Sequence, residues 1–584
     1  LSCPSRPGPS ASAIVTLLFA WGCSSGGEDA QGHREERAAE AERAFWFVDE
    51  ASSRGVHFTH VATRTAQKLL PEILGSGVAL TDFDRDGDVD IYFVGGGDLS
   101  QGRARPAAAK DRLLLNDGRG NFLDATEEWG LTSSAYGMGA AVGDFDNDGW
   151  ADLLLTTFGG GERLMRNTGR SFEDVGDSAG VAGLGQWSTG AGFFDCEGDG
   201  DLDIYVVRYI DYDIDNALKC WHNERHIYCS PALFEALPDT LLRNEGGGSF
   251  IDISEVLGTA ARAGKGLALA LGDVDWDGDV DVFVANDITR NLLFVNDGSG
   301  RFEERGQAGG VAYDETGRAS AGMGADFTDI DGNGLQDISC TNFQDETTNI
   351  YMQKTPLVFR DRSYAVGVGR TAQERLSFGV DFCDLDNDGD EDLFVANGHM
   401  DDGIESVSES ITFAQQNSIY RLGEGERFED VSARSGPALE LVEVTRGAAS
   451  ADLDGDGRMD LVLTTNAGPA RLMMNRSESG QAVVLWLEGV ASNRSAIGAR
   501  VEARAGARTL RQEVRGASSY LSQCDLRLHF GLGPSAALSE ARVLWPSGAT
   551  QELGELAPGF YHVVEGQAPR PFVPGQAVIP PQSR

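Results

Sequence analysis

The chain has 584 residues, 91 of them acidic against 48 basic, and a formal charge of −43. So negative a surface excludes nucleic acid and bare anionic membrane as direct partners, and the length calls for a large repeat domain with a smaller appendix. Glycine is abundant at 75 residues and proline modest at 18, a balance suited to many tight turns between short strands.

The first element is an apolar stretch over 11–21, too short to span a bilayer but of the size of a signal peptide's hydrophobic region. The run Leu18-Phe19-Ala20-Trp21-Gly22-Cys23 resembles a bacterial lipoprotein cleavage box, which implies export and a lipid anchor on Cys23. Residues 1–23 are read as that signal, and 24–44, rich in Ser, Gly, Glu, Arg and Ala, as a solvated tether. No other segment reads as transmembrane.

From residue 45 two elements alternate. One is F-x-[DE] with a glycine six residues after the acid, beginning at Phe47, Phe122, Phe172, Phe250, Phe302, Phe359 and Phe428. Four copies follow hairpin turns that start at Asn116, Asn167, Asn244 and Asn296.

The other element is a loop of the form D-x-D-x-D-G-x-x-D. Its first two copies place Asp82, Asp84, Asp86, Asp88 and Asp90, then Asp144, Asp146, Asp148, Trp150 and Asp152, at positions 1, 3, 5, 7 and 9. The third and fourth place Asp195, Glu197, Asp199, Asp201 and Asp203, then Asp273, Asp275, Asp277, Asp279 and Asp281. The fifth has Asp329, Asp331, Asn333, Leu335 and Asp337, and the sixth Asp384, Asp386, Asp388, Asp390 and Asp392. The seventh has Asp452, Asp454, Asp456, Arg458 and Asp460. An apolar β-type run follows each, as at Ile91 to Val94.

Units of this kind cannot bury both faces alone, so the expected fold is all-β, a seven-bladed β-propeller over 45–478. The first F-x-D strand is expected to pair with the strands after Asp452, because that last loop has no F-x-D element of its own. Longer spacings place insertions at 95–110, 208–239 and 398–416.

The loop chemistry points to calcium. Ca2+ takes six to eight hard oxygens, and the loop offers carboxylates at positions 1, 3, 5 and 9 with a backbone carbonyl from position 7. An EF-hand would need a glutamate at position 12, where strand residues such as Phe93 and Leu155 stand instead. Up to seven Ca2+ ions are expected, bound most weakly in the third and fifth copies, where Glu197 and Asn333 depart from aspartate. The seven loops hold 32 acidic residues, and such carboxylates repel one another strongly without a cation.

The eight cysteines form no CxxC pair, which argues against zinc or thioredoxin-like chemistry. Cys220 and Cys229 are candidates for a disulfide in an oxidising compartment, and Cys196, Cys340, Cys383 and Cys524 read as buried thiols. The second insertion also has Trp221, Tyr228 and Phe234, read either as an aromatic face for a partner or as part of a stapled loop. Its His222 and His226 would share a face near Glu224 if helical, and are read as a surface coincidence.

Residues 479–566 read as a small β domain, with Asn493, Arg494 and Trp545 in loops, and the Pro-rich tail over 567–584 as disordered. The stretches Asn493-Arg494-Ser-Ala-Ile-Gly498-Ala499-Arg500, His529-Phe-Gly531-Leu-Gly533 and Trp545-Pro546-Ser547-Gly548 closely resemble the ASPIC/UnbV domain. The blades resemble FG-GAP/VCBS repeats of integrin-like propellers, and the combination is similar to the cartilage acidic protein (CRTAC1) family and its bacterial homologues. That resemblance implies extracellular, calcium-binding proteins whose blade loops bind metal and whose partners are mostly undefined; the partner expected for this chain is a protein or glycan at the cell surface. No catalytic motif of the G-x-S-x-G, phosphate-loop or HExxH kind is present. The expected role is therefore an adhesion, scaffold or ligand-binding protein with no catalytic residues. The alternative is a propeller enzyme on an extracellular substrate or an accessory protein of a secondary biosynthetic pathway.

Overall fold

The computed structural model describes residues 45–100, 110–131, 135–182, 186–258, 264–423 and 425–576. The signal segment with Cys3 and Cys23, the tether, most of the 95–110 insertion and the end of the tail lie outside the described residues.

The protein is all-β in plan, with helices of a single turn. Seven four-stranded antiparallel sheets follow one another along the chain. Sheet 1 consists of Val78–Thr81, Asp90–Phe93, Arg112–Asn116 and Phe122–Asp124. The first strands of sheets 2 to 6 are Tyr136–Gly143, Ser188–Phe194, Gly266–Gly272, Ala325–Thr328 and Ser377–Cys383. Sheet 7 has Thr445–Ala451, Asp460–Thr465 and Arg471–Asn475. Its fourth strand, Phe47–Asp49, comes from the other end of the repeats, with Phe47 opposite Asn475 and Asp49 opposite Met473. In every sheet the aspartate loop joins the first strand to the second.

The first strands of successive sheets are neighbours from sheet 1 through sheet 7, and that of sheet 7 neighbours that of sheet 1. Apolar side chains fill the space between sheets, as where Ala79, Tyr92 and Leu113 of sheet 1 meet Ala140, Val142 and Leu153 of sheet 2. The outer contacts explain the glycine of the F-x-D element. Gly55 has φ +85°, and a Cβ there would lie 2.3 Å from the carbonyl oxygen of Phe122 in the next sheet. Gly436 meets the backbone of Phe47 in the same way, so both the conformation and the close approach require glycine.

Beyond residue 479 come two further four-stranded sheets. In one, Ala482–Glu488 pairs antiparallel with Leu528–Gly531 and parallel with Gly559–Val564. In the other, Arg508–Glu513, Arg500–Ala505, Leu538–Leu544 and Thr550–Leu556 lie side by side. The expectation of disorder over the whole tail from 567 is corrected here. Arg570–Phe572 adds an edge strand to the first sheet, because Phe572 finds aromatic partners in Phe560 and Trp486 and an edge position tolerates Pro571.

Cys220 and Cys229 form a disulfide that closes a small hairpin of Cys220–His222 and Arg225–Ile227. His222 and His226 are therefore not on one helical face: Trp221 is opposite His226, and His222 is opposite Arg225. The β-forming Trp221 and Ile227 flank a turn in which Asn223 takes φ +54°, and that local chemistry favours a hairpin over a helix. No helix among the described residues is long and apolar enough to cross a membrane.

Candidate metal centres

Each aspartate loop is folded by its own carboxylates. The side chain at position 1 accepts the amides of positions 5 and 6: Asp82 from Asp86 at 3.1 Å and Gly87 at 2.9 Å, and Asp452 from Asp456 at 3.1 Å and Gly457 at 2.7 Å. The same pair of bonds occurs at Asp144, Asp195, Asp273, Asp329 and Asp384. The side chain at position 5 accepts the amide of position 7, as from Asp88 to Asp86, Trp150 to Asp148, Asp201 to Asp199 and Asp279 to Asp277. Leu335 to Asn333, Asp390 to Asp388 and Arg458 to Asp456 repeat it. The glycine at position 6 makes this turn with φ between Gly457's +84° and Gly278's +112°.

Position 9 ties each loop to the third strand of its sheet. One oxygen of Asp90 accepts the amide of Phe83 at 2.9 Å, and the other accepts the amide of Asn116, at the end of the third strand, also at 2.9 Å. Asp152, Asp203, Asp281, Asp337, Asp392 and Asp460 are clamped in the same manner. The third-strand Asn then reaches the preceding sheet. Asn116 Nδ2 donates to Leu453 O at 2.8 Å, Asn167 to Phe83 O at 2.9 Å, Asn244 to Phe145 O at 2.8 Å and Asn475 to Leu385 O at 2.8 Å. Gln353 makes the equivalent bond to Val274 O. Asn296 donates likewise to Cys196 O at 2.9 Å; from sequence Asn116, Asn167, Asn244 and Asn296 read as turn residues, and their recurrence in four hairpins was the signal of a clip between sheets.

Carboxylate oxygens of Asp82, Asp84 and Asp86 lie within 4.8 Å of one another, as do those of Asp144, Asp146 and Asp152, of Asp273, Asp275 and Asp281, and of Asp329, Asp331 and Asp337. In the third loop the corresponding group is Cys196, Glu197 and Asp203. Burial, with the neighbouring carboxylates, pushes Asp82 up to about 7, Asp144 to about 8 and Asp452 to about 7, and holds Asp90, Asp384 and Asp460 well above the usual carboxylate range. The all-carboxylate clusters among these fit a hard divalent cation, which would offset the crowding. The clamping amides leave each position-9 oxygen a second lone pair for that purpose.

The loops differ in how protein cations meet them. Arg527 approaches Asp82 at 3.3 Å, Arg500 approaches Asp273 at 2.6 Å and Arg476 approaches Asp454 at 2.8 Å. Lys354 pairs with Asp331, Arg508 with Asp390 and Arg458 with Asp456. In the third loop Glu197 accepts the Cys196 thiol at 2.7 Å and lies 3.5 Å from Arg243.

Three of these arginines come from residues 479–566, which carry eight arginines and eight acidic residues and are formally neutral. Position 4 of the loop fixes where that segment docks. It takes positive φ in all seven loops, and where it is not glycine its side chain reaches this segment. Arg85 pairs with Glu488 at 2.8 Å, Asn147 accepts the Arg494 amide at 2.9 Å, Trp276 lies under the Arg500 guanidinium at 5.0 Å, and Asn387 donates to Gly480 O at 3.0 Å. Glu488 also meets Arg494 at 3.3 Å and His562 at 2.9 Å. Burial pushes Glu488 up, but His562 and Arg85 outweigh it and hold it at about 2.

Residues 515–525 then thread between the first strands and touch every sheet. Gln523 exchanges backbone bonds with Val78 and Leu80 of sheet 1, Leu521 O accepts from Ala140 of sheet 2, and Gly516 abuts Phe193 O of sheet 3. Ala517 O accepts from Leu271 of sheet 4, and Ser519 exchanges two backbone bonds with Ala325 of sheet 5. The Ser519 hydroxyl accepts from Val380 of sheet 6 and donates to Ala448 O of sheet 7. Arg494 and Trp545 are buried as structural groups, with Trp545 Nε1 donating to Gln551.

The sequence matches the FG-GAP-like repeat family at residues 82–155, 144–206, 273–340 and 384–463, and the ASPIC and UnbV family at 489–570. Cartilage acidic protein 1 of Mus musculus is 27% identical over 518 residues, 82% of this chain and 71% of that protein. The Homo sapiens protein is 26% identical over 517 residues, 82% of this chain and 70% of its own length. Among solved structures, an Agrocybe aegerita lectin is similar with a TM-score of 0.40 at 14% identity, covering 73% of this chain and 97% of the lectin. The repeats lie along the sheets, the ASPIC and UnbV match covers the segment that docks on their loops, and the chain is a member of the cartilage acidic protein and ASPIC/UnbV family.

Proposed function

We propose that the seven sheets are blades of one β-propeller, that each blade loop holds a Ca2+ ion, and that the protein is a non-enzymatic adhesion or ligand-binding protein outside the cytoplasm. One observation carries the calcium reading. The same hydrogen bonds fold seven carboxylate loops, whose buried oxygens would repel one another without a cation. Contact between the first strands of sheets 7 and 1 supports closure of the propeller. The third and fifth sites are expected to bind most weakly: the Cys196 thiol donates to Glu197, and in the fifth loop the neutral amide of Asn333 stands where the other loops have a carboxylate at position 5.

Calorimetric titration of chelator-stripped protein tests this reading: binding of about seven Ca2+ is expected, and no more than one or two sites would overturn it. An extracytoplasmic place follows from the 11–21 stretch and the Cys23 box, with a protein or glycan partner at the cell surface. Mass spectrometry of the mature N-terminus checks the lipid on Cys23.

A further inference from the structure

At the end of the strands away from the aspartate loops lies a cavity of about 420 Å³, within the size range of small-molecule sites. Its position follows from the topology. Leu267 and Phe378 open the first strands of sheets 4 and 6, while Asp287, Ile288 and His399 follow the ends of second strands. The disulfide hairpin and the residues after it, Tyr228 to Pro231, form one wall. That hairpin is held in place by Arg225 on Asp401, itself a wall residue, and by His226 Nδ1 against Ala66 O at 2.9 Å.

The walls are apolar, with Leu74, Leu267, Met323 and Phe378 among them, and the polar groups are few and unbalanced. Asp287 is buried, and its Oδ2 accepts the Tyr209 hydroxyl. Glu346 accepts the Ala321 amide at 2.8 Å. Lys265, whose charge favours the Asp287 carboxylate, donates its ammonium to Pro231 O at 2.7 Å, and Glu346 is disfavoured by the charge of Asp287. The third carboxylate of the lining, Asp401, is paired with Arg225, and Lys68, over the Tyr228 ring, is paired with Asp402. Arg446, behind Phe378, is held on the carbonyls of Ile73, Gly398, Thr445 and His399. Asp287 and Glu346 thus stand in a lining that holds no lysine or arginine.

Two further observations point to a ligand. His399 is 2% exposed; its Nδ1 accepts the Asp401 amide at 2.9 Å, so the neutral ring carries its proton on Nε2, which has no partner. A buried N–H of this kind needs an acceptor. At the rim Ile288, a β-branched residue, is held at φ +52° with 37% of its surface exposed, a strain that folds retain at binding sites.

We propose that this cavity binds a small organic amine with an apolar or aromatic body and an oxygen acceptor beside the nitrogen. The ammonium is received by Glu346 and Asp287, the oxygen by His399 Nε2–H, and the body by the apolar wall, whose aromatic rings also favour a cation. This site is separate from the calcium loops.

The test uses the full chain in calcium-containing buffer. Propranolol, an aryl ether with an amine and a hydroxyl, is the probe, and 1-naphthoxyacetate is the anion with the same ring system. Propranolol is expected to bind at one site per chain, displacing nothing from the calcium loops, while 1-naphthoxyacetate binds more weakly by about tenfold or more. Glu346→Gln, nearly isosteric, is expected to weaken propranolol by about tenfold with the melting curve of the free protein retained. Ile288→Asn at the exposed rim is the second variant, expected to weaken it by a smaller factor. Equal binding of the anion, or propranolol affinity unmoved by both substitutions, would overturn the proposal. Butane-1,4-diamine, a cation without the apolar body, controls for attraction to the chain's overall charge; binding as tight as propranolol's would overturn it too.

Discussion

The two ends of the strands are built on different plans. At one end the same loop recurs in every sheet, each closed by its own backbone amides within nine residues. At the other, the wall is assembled once, from insertions at 208–239 and 398–416 and the helical turn Pro71–Leu74. The repeated end stores negative charge in buried clusters and receives the arginines of residues 479–566. The irregular end is apolar, with few ions. Repetition suits a structural task performed equally by every sheet, whereas one cavity of mixed chemistry needs unequal contributions from its surroundings.

Metal removal is expected to act on the loop end and to have the largest effect. On the proposed calcium reading, each site saturated a hundredfold above its dissociation constant would contribute about 2.7 kcal/mol to the folded form. Chelation is therefore expected to lower the melting temperature by more than any single substitution. Calorimetric melting with and without EDTA reads this directly, and coincident curves would remove the structural role of the loops. Reduction of Cys220–Cys229, remote from the loops, is expected to leave the calcium stoichiometry unchanged.

The next effect is at the junction of loop 1 with the docked segment. Arg85 and Glu488 are both buried, so Arg85→Ala leaves a carboxylate with part of its cationic surroundings removed and is expected to cost about 3–5 kcal/mol in urea unfolding. Acid gives an independent reading. Glu488 sits at about 2 in the folded chain against 4.5 for an ordinary glutamate, so its contribution is fully present above about pH 4.5 and is lost as pH falls toward 2. Glu488→Gln should flatten the stability profile across that window, and an unchanged slope would show that other carboxylates govern it.

Much of this architecture was legible because its determinants are local. Asp82 to Asp90 specify a turn, a carboxylate cluster and the strand that follows within one short window, and the sharing of sheet 7 followed from counting F-x-D elements against aspartate loops. The Cys220–Cys229 pairing was legible for the same reason. What stayed hidden depends on long-range partners. Asn116 reads as a turn residue until Leu453 is beside it, and Ser519 has no sequence signal that it will touch sheets 5, 6 and 7. His222 and His226 misled in the opposite sense, since helical spacing brings two side chains together only in a helix. Phe572 gave the tail an apolar anchor that its proline content obscured.

The smallest effects set the two ends against each other at the same backbone conformation. Gly332, position 4 of loop 5, has φ +68° and open space where a Cβ would stand, so Gly332→Ala meets no neighbour and costs only the left-handed penalty of about 1 kcal/mol. Ile288 carries that penalty already. Ile288→Asn, which suits φ near +52°, is therefore expected to stabilise the free protein by about 1 kcal/mol. Urea unfolding measures both signs on one scale. If Ile288→Asn is more stable yet holds propranolol less tightly, the strain at the rim serves the cavity; if it destabilises the fold, the side chain at 288 is retained for packing and the contrast with Gly332 reduces to one of burial.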